Sequence, residues 1–429
     1  MESSVQSDAN HERWKEMTGK GRIAIFTEFY PYGKGEEFLE NEIKVAEHYY
    51  EKITIISFNK NTKAVTKYVP NNATIIPLRQ VISEKQLLIK RLLSVFTIDV
   101  WRQTALCIKE RGWKSGVSGI KNAVMEHSLI SVLRMNEHKW AKMYDVYYSY
   151  WLSGLASYLA LRKKQLGGII ISRAHGYDCF FDRGFHAHRN EQFMLLDAIF
   201  PICEIGKADL IDQGCIPDKL HVSRLGVVKP CNQMNPYNDS KQKIIVSCSN
   251  VVELKRLDLL IEALSLIEDL NIHWIHFGDG TSMSRILGLS EMMLKEKDNI
   301  DYDFKGWRDP SDIHNFYQNN PVDFFINCSD VEGVPVSIME AMSYGIPCIA
   351  RRVGGNEEIV KDSNGILLPS KCSPFELKTA IEAALNMPEE ELSLLRQGAF
   401  NTFTQKYDAN LNYNTFFRNM VTRYNGNIK

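Results

Sequence analysis

The sequence predicts an α/β chain made of two doubly wound parallel sheets. β-Branched and apolar runs alternate with amphipathic helical stretches, and this alternation occurs twice, on either side of a segment rich in Pro, Asn and charge. At 429 residues the chain is too long for one compact core, so two large domains follow from length alone.

The first series begins with "RIAIF" (22–26), a glycine-bearing loop and a helix from about Glu36. It continues through "ITIIS" (53–57), "ATIIP" (73–77), "DVYYSY" (145–150) and "GIIIS" (168–172). The segment 227–243 lacks periodicity and is read as a linker, with boundaries at 229–242. The second series is "IIVSCS" (244–249), "IHWIHFG" (272–278), "IDYDF" (300–304), "DFFINC" (323–328), "IPCIA" (346–350) and "GILLP" (365–369). The expected domains are therefore 21–228 and 243–408. Two such sheets would turn their carboxyl ends to a common cleft, the usual ligand position in open α/β sheets.

Composition narrows the function. A formal net charge of −1 argues against a protein that lives by neutralising nucleic-acid phosphates. Nine cysteines stand singly, without C-x-x-C, which predicts neither a disulfide framework nor a structural metal and fits a reducing cytoplasm. Residues 1–20 are polar, without the apolar core of a signal peptide, and read as a disordered or tag-like N-terminus. No run reaches membrane-spanning length, so the expected location is the cytoplasm, extending to the inner face of the membrane.

The chemistry concentrates in "EGVPVSIMEAMSYGIPCIA" (332–350). After the strand "DFFINC", a loop leads into Pro335, suited to a first helical turn, and the helix runs to Gly345. Its amino end offers unpaired N–H groups and a positive dipole end, which suit a phosphate. Glu332 lies in the loop before that end, where it can reach beyond the phosphate. Glu340 lies more than a turn inside, where a carboxylate can accept two ribose hydroxyls. For an isolated E-x7-E, a loop charge and a solvated helix residue would be the plain reading.

The whole string "EGVPVSIMEAMSYGIPCIARRVGGNEEIV" resembles the donor-site signature of retaining glycosyltransferases of the GT-B fold, family 4 or group 1 type, particularly those of bacterial surface-polysaccharide synthesis. "SCSNVVELKRLDLLIEAL" (247–264) is similar to the family segment that carries a diphosphate-binding lysine, here Lys255. Asn250 stands where the family usually has arginine, and the resemblance leaves Arg256 as a substitute cation. "FKGWRDPSDIHNFYQN" (304–319) resembles the loop that holds the nucleotide base, which implicates Gly306 and Trp307. In the first domain, "YPYGKGEEFLENEI" (30–43) places Gly33 and Gly35 where a backbone can approach a phosphate or sugar. "ISRAHGYDCFF" (171–181) resembles the family's H-G-x-D segment, with His175 against the donor sugar and Arg173 and Asp178 as weaker acceptor-side candidates.

The resemblance implies a nucleotide diphosphate sugar donor, UDP before GDP, and a saccharide or polyprenyl-linked saccharide acceptor. It implies no cofactor and no metal. Glu332 and His175 would position the sugar and Glu340 the ribose. Lys255, with Gly333, Val334, Pro335 and Val336, would hold the diphosphate. It also implies that the last segment, 409–429, is a helix crossing back to the first domain. A non-catalytic nucleotide-sugar-binding partner and a GT-B epimerase are the alternatives.

Other motifs are weaker. "DYD" (301–303) matches a metal-binding triplet of another glycosyltransferase fold, but it sits inside a predicted strand, so Asp301 and Asp303 are read as structural. Neither "GKGEEF" nor "GDGTSM" completes a dinucleotide fingerprint, and there is no Walker A sequence. Residues 85–122 carry eight Lys/Arg against Asp99 and Glu110, interleaved with Leu, Ile, Phe and Trp. The first expectation is a helical insert that buries its apolar face on the domain; the alternative is a basic face on an anionic membrane.

Overall fold

The computed structural model describes residues 21–424, apart from 34, 63, 140, 142–143 and 230–232. The expectations for residues 1–20 and for 425–429 lie outside the described residues. The chain divides into two compact units, one ending at Leu225 and resuming at Asn410, the other Gly226–Ala409.

The first unit is built on β1 (Gly21–Thr27), β2 (Tyr50–Ser57), β3 (Ala73–Pro77), β4 (Val146–Ser149), β5 (Ile169–Ala174) and β6 (Ala198–Pro201). They form one sheet in the order β3-β2-β1-β4-β5-β6, and every pairing is parallel. Ile25 sits between Ile55 and Tyr148, and all three are fully buried, as a sheet covered on both faces requires. Sequence analysis did not mark β6. Its residues, Ala198–Pro201, are recognised as a strand by their parallel pairing with β5.

The helix Ala409–Tyr424 packs on this first unit through the buried Tyr413, Phe416, Phe417 and Met420. Phe417 meets Tyr50 edge-on at 6.0 Å between ring centroids, and the Tyr49 hydroxyl hydrogen-bonds Asn414 Oδ1 at 2.9 Å.

The second unit repeats the plan with β7 (Lys243–Cys248), β8 (Ile272–Phe277), β9 (Ile300–Phe304), β10 (Phe324–Asn327), β11 (Cys348–Arg351) and β12 (Gly365–Leu368). The order is β12-β11-β10-β7-β8-β9, again all parallel. Trp274, Ile245, Leu260, Phe324 and Ile381 lie in one buried core. The expected linker belongs to this unit rather than standing between domains. Asn235 is buried; its side chain donates to the carbonyls of Tyr317 (2.6 Å) and Asn320 (2.8 Å) and accepts from the Val322 amide (2.9 Å). Polar composition here satisfies buried backbone instead of solvating a free chain.

Each order reverses direction once, between β1 and β4 in the first sheet and between β7 and β10 in the second. Loops leaving the carboxyl ends of such neighbouring strands diverge and open a crevice.

Candidate active site

In the second unit, the crevice lies between the loops after β7 and β10, strands paired at Ile245–Phe324 and Val246–Phe325. The β7 loop ends in a short 3-10 turn, Glu253–Lys255, and the β10 loop carries Glu332. Lys255 Nζ donates to Glu332 Oε1 at 2.5 Å across the switch point. The same oxygen accepts from the Ser329 hydroxyl (2.6 Å) and from Asn327 Nδ2 (3.2 Å). Glu332 is thus a buried carboxylate whose charge is supported by one cation and two neutral donors. Asn327 and Ser329 were not singled out from sequence. Their signal was available: short polar residues ending a buried strand just before the loop.

The helix Val336–Ser343 follows. Pro335 stands at its N-cap, one residue before the first turn, and being proline it has no N–H to give a phosphate. The amide donors at this end therefore come from Val334 and from Val336 onward, while Pro335 fixes the entry. The helix closes with paired bonds, Gly345 N–H to Met342 and Ile346 N–H to Ala341, around Gly345 at φ +70°. That is a glycine-terminated end in which a side chain at 345 would strain the backbone. Glycines also set the floor under Glu332 and Gly333. Gly355 N–H donates to the Gly333 carbonyl at 2.6 Å, and a Cβ at Gly354 would collide with the Glu332 carbonyl oxygen.

Glu340 presents the opposite electrostatics to Glu332. Among the described residues no donor reaches its carboxylate, and burial alone pushes its pKa up to about 7. A carboxylate in that state gains most from a ligand that brings hydroxyl donors.

Arg256 does not join Lys255. Held at φ +50°, it turns its guanidinium to Asp258 (3.2 Å) and Asp330 (3.4 Å), and Asp330 also receives Arg351 at 2.5 Å. Here this guanidinium ties the β7 and β10 loops together, apart from the Lys255–Glu332 pair. Asn250 is exposed on the β7 loop. Gly306 (φ +65°) accepts the Gly278 amide at 2.9 Å, and Trp307 is 53% exposed beside it. Asp303 pairs with Lys305 (2.9 Å) and His273 (3.2 Å), consistent with a structural reading of the "DYD" triplet.

In the first unit, the crevice lies between the loops after β1 and β4. Its organiser is Glu36, which sequence analysis took only as a helix start. The Glu36 carboxylate accepts the amides of Glu28 (2.9 Å), Phe29 (2.9 Å) and Tyr30 (2.6 Å) and the Trp151 indole N–H (2.6 Å). Gly33 and Gly35 lie in the loop so gathered, and Gly35, at φ +96°, packs on the Phe29 ring.

His175 follows β5. Its ring lies 4.6 Å from that of Tyr150 and 4.5 Å from that of Trp151, centroid to centroid, and Nε2 donates to the Tyr150 carbonyl at 3.0 Å. Burial, then the Arg173 guanidinium, pushes its pKa down to about 3, so the imidazole is neutral with Nε2 protonated.

Arg173 and Asp178 are corrected as acceptor-side candidates, because both are completely buried. Arg173 pairs with the equally buried Glu42 at 3.0 Å, donates to the Tyr148 hydroxyl (3.0 Å) and the Ser223 carbonyl (2.7 Å), and lies 4.7 Å from the Phe416 ring. Asp178 accepts the amides of His175 (2.5 Å) and Leu152 (2.6 Å), so it positions the histidine loop.

The Glycosyl transferases group 1 family matches residues 232–399, within the second unit. Among relatives, the chain is 25% identical over 224 residues to the amylovoran biosynthesis glycosyltransferase AmsK of Erwinia amylovora, covering 48% of this chain and 53% of that protein. The chain spans about half the length of the curated relatives it matches. Two solved structures share the fold over nearly the whole chain. The lipopolysaccharide outer core galactosyltransferase WaaB has a TM-score of 0.64 at 17% identity, covering 94% of this chain and 99% of that one. Anabaena HepE, in a complex with UDP and glucose, has a TM-score of 0.64 at 16% identity, covering 94% of this chain and 100% of that one. The fold class is GT-B, two Rossmann-like α/β units. Among the described residues, no helix is long and apolar enough to cross a membrane.

Proposed function

We propose that the protein is a retaining glycosyltransferase that moves a sugar from a nucleotide diphosphate sugar, UDP before GDP, to a saccharide or lipid-linked saccharide acceptor in bacterial polysaccharide synthesis. The observation that carries the proposal is the juxtaposition of Lys255, Glu332 and an open helix end at one switch point, with the carboxylate of Glu340, which meets no donor among the described residues, inside that helix. The group 1 domain supports it, as do the names of the relatives matched.

In this reading the ribose hydroxyls donate to Glu340. The diphosphate takes the amides of Val334 and Val336 and the ammonium of Lys255. Cleavage of the sugar–phosphate bond builds charge on the departing diphosphate, and preorganised donors stabilise that charge more in the transition state than in the ground state. Glu332, buttressed by Asn327 and Ser329, receives a sugar hydroxyl; His175 is assigned to the sugar by the resemblance and by its fixed, neutral ring. The leaving phosphate takes the acceptor's proton on the same face, which retains the anomeric configuration. Lys255 and the amides meet the leaving-group charge, so the scheme uses no metal.

One observation favours a second reading. Asn250 adds no second cation to the β7 loop beside Lys255, and Arg256 pairs with Asp258 and Asp330; a protein that binds nucleotide sugars without turning them over would tolerate this.

The deciding experiment incubates the protein with a panel of UDP-, GDP- and other nucleotide sugars in EDTA and follows nucleotide release and sugar products. Slow release of one nucleotide, lost in Lys255→Ala and Glu332→Ala, is the expected result. Conversion of the sugar nucleotide without release would identify an epimerase. Binding with no turnover, even with lipid-linked acceptor added, would establish the binding partner.

A further inference from the structure

The segment expected to bury its apolar face does so in helix Ile98–Arg111, through Val100 and Cys107, but its first helix and the turn after it leave apolar side chains outside. Helix Glu84–Ser94, capped by Ser83 and Gln86, rests on helix Gly116–Asn136 through a narrow strip. Of its side chains only Leu87 and Ser94 are buried, and the Ser94 hydroxyl hydrogen-bonds His127 Nδ1 at 2.9 Å. Leu88, Leu92 and Leu93 face solvent on the opposite side. The apolar surface continues through the turn into helix Ile98–Arg111, where Phe96 is 85% and Ile98 88% exposed. The Trp101 indole N–H donates to the Val95 carbonyl at 2.8 Å, which fixes its ring beside that turn.

A water-facing helix in a globular unit carries its charges outward, and a contiguous apolar patch marks an interaction surface. Cations flank this one. Among the described residues, Lys85, Lys90 and Arg91 have no carboxylate partner, in contrast to Arg102, which is held by Glu191 at 2.5 Å. The charges discriminate between occupants. A second copy meeting this face by two-fold symmetry would set Lys85, Lys90 and Arg91 against their own equivalents, a like-charge contact. An anionic bilayer takes both features, since Leu and Phe side chains enter the acyl boundary while the cationic heads stay at lipid phosphates.

We propose that helix Glu84–Ser94 and the turn through Trp101 form a docking face for the surface of an anionic bilayer. The face is independent of the transfer reaction, and its test needs no substrate. The full chain is floated with vesicles of phosphatidylglycerol mixed with phosphatidylcholine, and with phosphatidylcholine alone, at low and high salt. Binding to the anionic vesicles is expected, weakened by salt because the flanking cations are exposed. Replacing Leu92 and Phe96 together by Glu should lower it by roughly tenfold or more. Lys85→Gln, Lys90→Gln and Arg91→Gln should each cost about fivefold.

All five side chains are exposed or half-exposed, so the melting curves should match the parent and show that the variants fold. Absence of binding to anionic vesicles at low salt would overturn the proposal. Equal binding by the Leu92→Glu/Phe96→Glu variant would do the same. So would sedimentation showing a parent dimer that this variant converts to monomer, because the face would then belong to a second copy.

Discussion

Glu36 and Glu332 occupy similar places, each in a loop leaving a strand at its sheet's switch point, yet they are held by different partners. Glu36 accepts three backbone amides and an indole, all neutral and all fixed by the fold. Glu332 accepts an amide, a hydroxyl and the ammonium of Lys255, a flexible cation that a diphosphate can draw away. The first carboxylate closes a loop on itself; the second, in the proposed reading, gives up its cation to a diphosphate. The same division separates Arg173–Glu42, completely buried, from Glu340, whose carboxylate meets no donor among the described residues. In these two pairs, the first unit's charge is used for architecture, and in the proposed reading the second unit's meets a ligand.

The strongest way to break this contrast is Arg173→Met. It leaves Glu42 buried without a cation and should cost about 3–5 kcal/mol by chemical denaturation, most of it recovered when Glu42→Leu is added. A loss of turnover at unchanged stability would instead return Arg173 to the acceptor side.

Lys255→Ala should behave inversely. Nucleotide release should fall by roughly a hundredfold to a thousandfold, as for loss of a transition-state charge donor, while stability falls by about 1–3 kcal/mol, because the buried Glu332 loses its cation but keeps two neutral donors. Glu36→Gln comes next, at about 2 kcal/mol of stability, since an amide oxygen accepts less strongly and its NH2 meets donors.

The smallest expected effect concerns Glu340. Its pKa of about 7 in the folded protein exceeds its ordinary value of 4.5, so burial makes stability fall as pH rises from about 4.5 to 7, with no further change above that. Hydroxyl donors favour the ionised form. Nucleotide affinity, by titration calorimetry, should therefore rise about fivefold as pH climbs through 7 and stay flat in Glu340→Gln. A flat profile in the parent would mean that ribose does not meet this carboxylate.

The sequence by itself determined the fold class and eleven of the twelve strands, because runs of β-branched residues between amphipathic stretches have few other solutions. It also placed Lys255, Glu332 and Glu340 in the loops and helix that the structure gathers at one switch point. What it could not supply was partner and direction. Arg173 and His175 lie two residues apart in one motif, but only packing sends one into a buried pair with Glu42 and the other against Tyr150 and Trp151. Arg256 stands beside Lys255 in the chain, and its left-handed backbone turns it away to Asp258 and Asp330. Helix Glu84–Ser94 shows the limit most directly. Periodicity reveals which stripe of a helix is apolar, but which stripe is covered depends on what the rest of the chain brings to it. Here the neighbouring helix covers Leu87 and Ser94 and leaves the leucines outside.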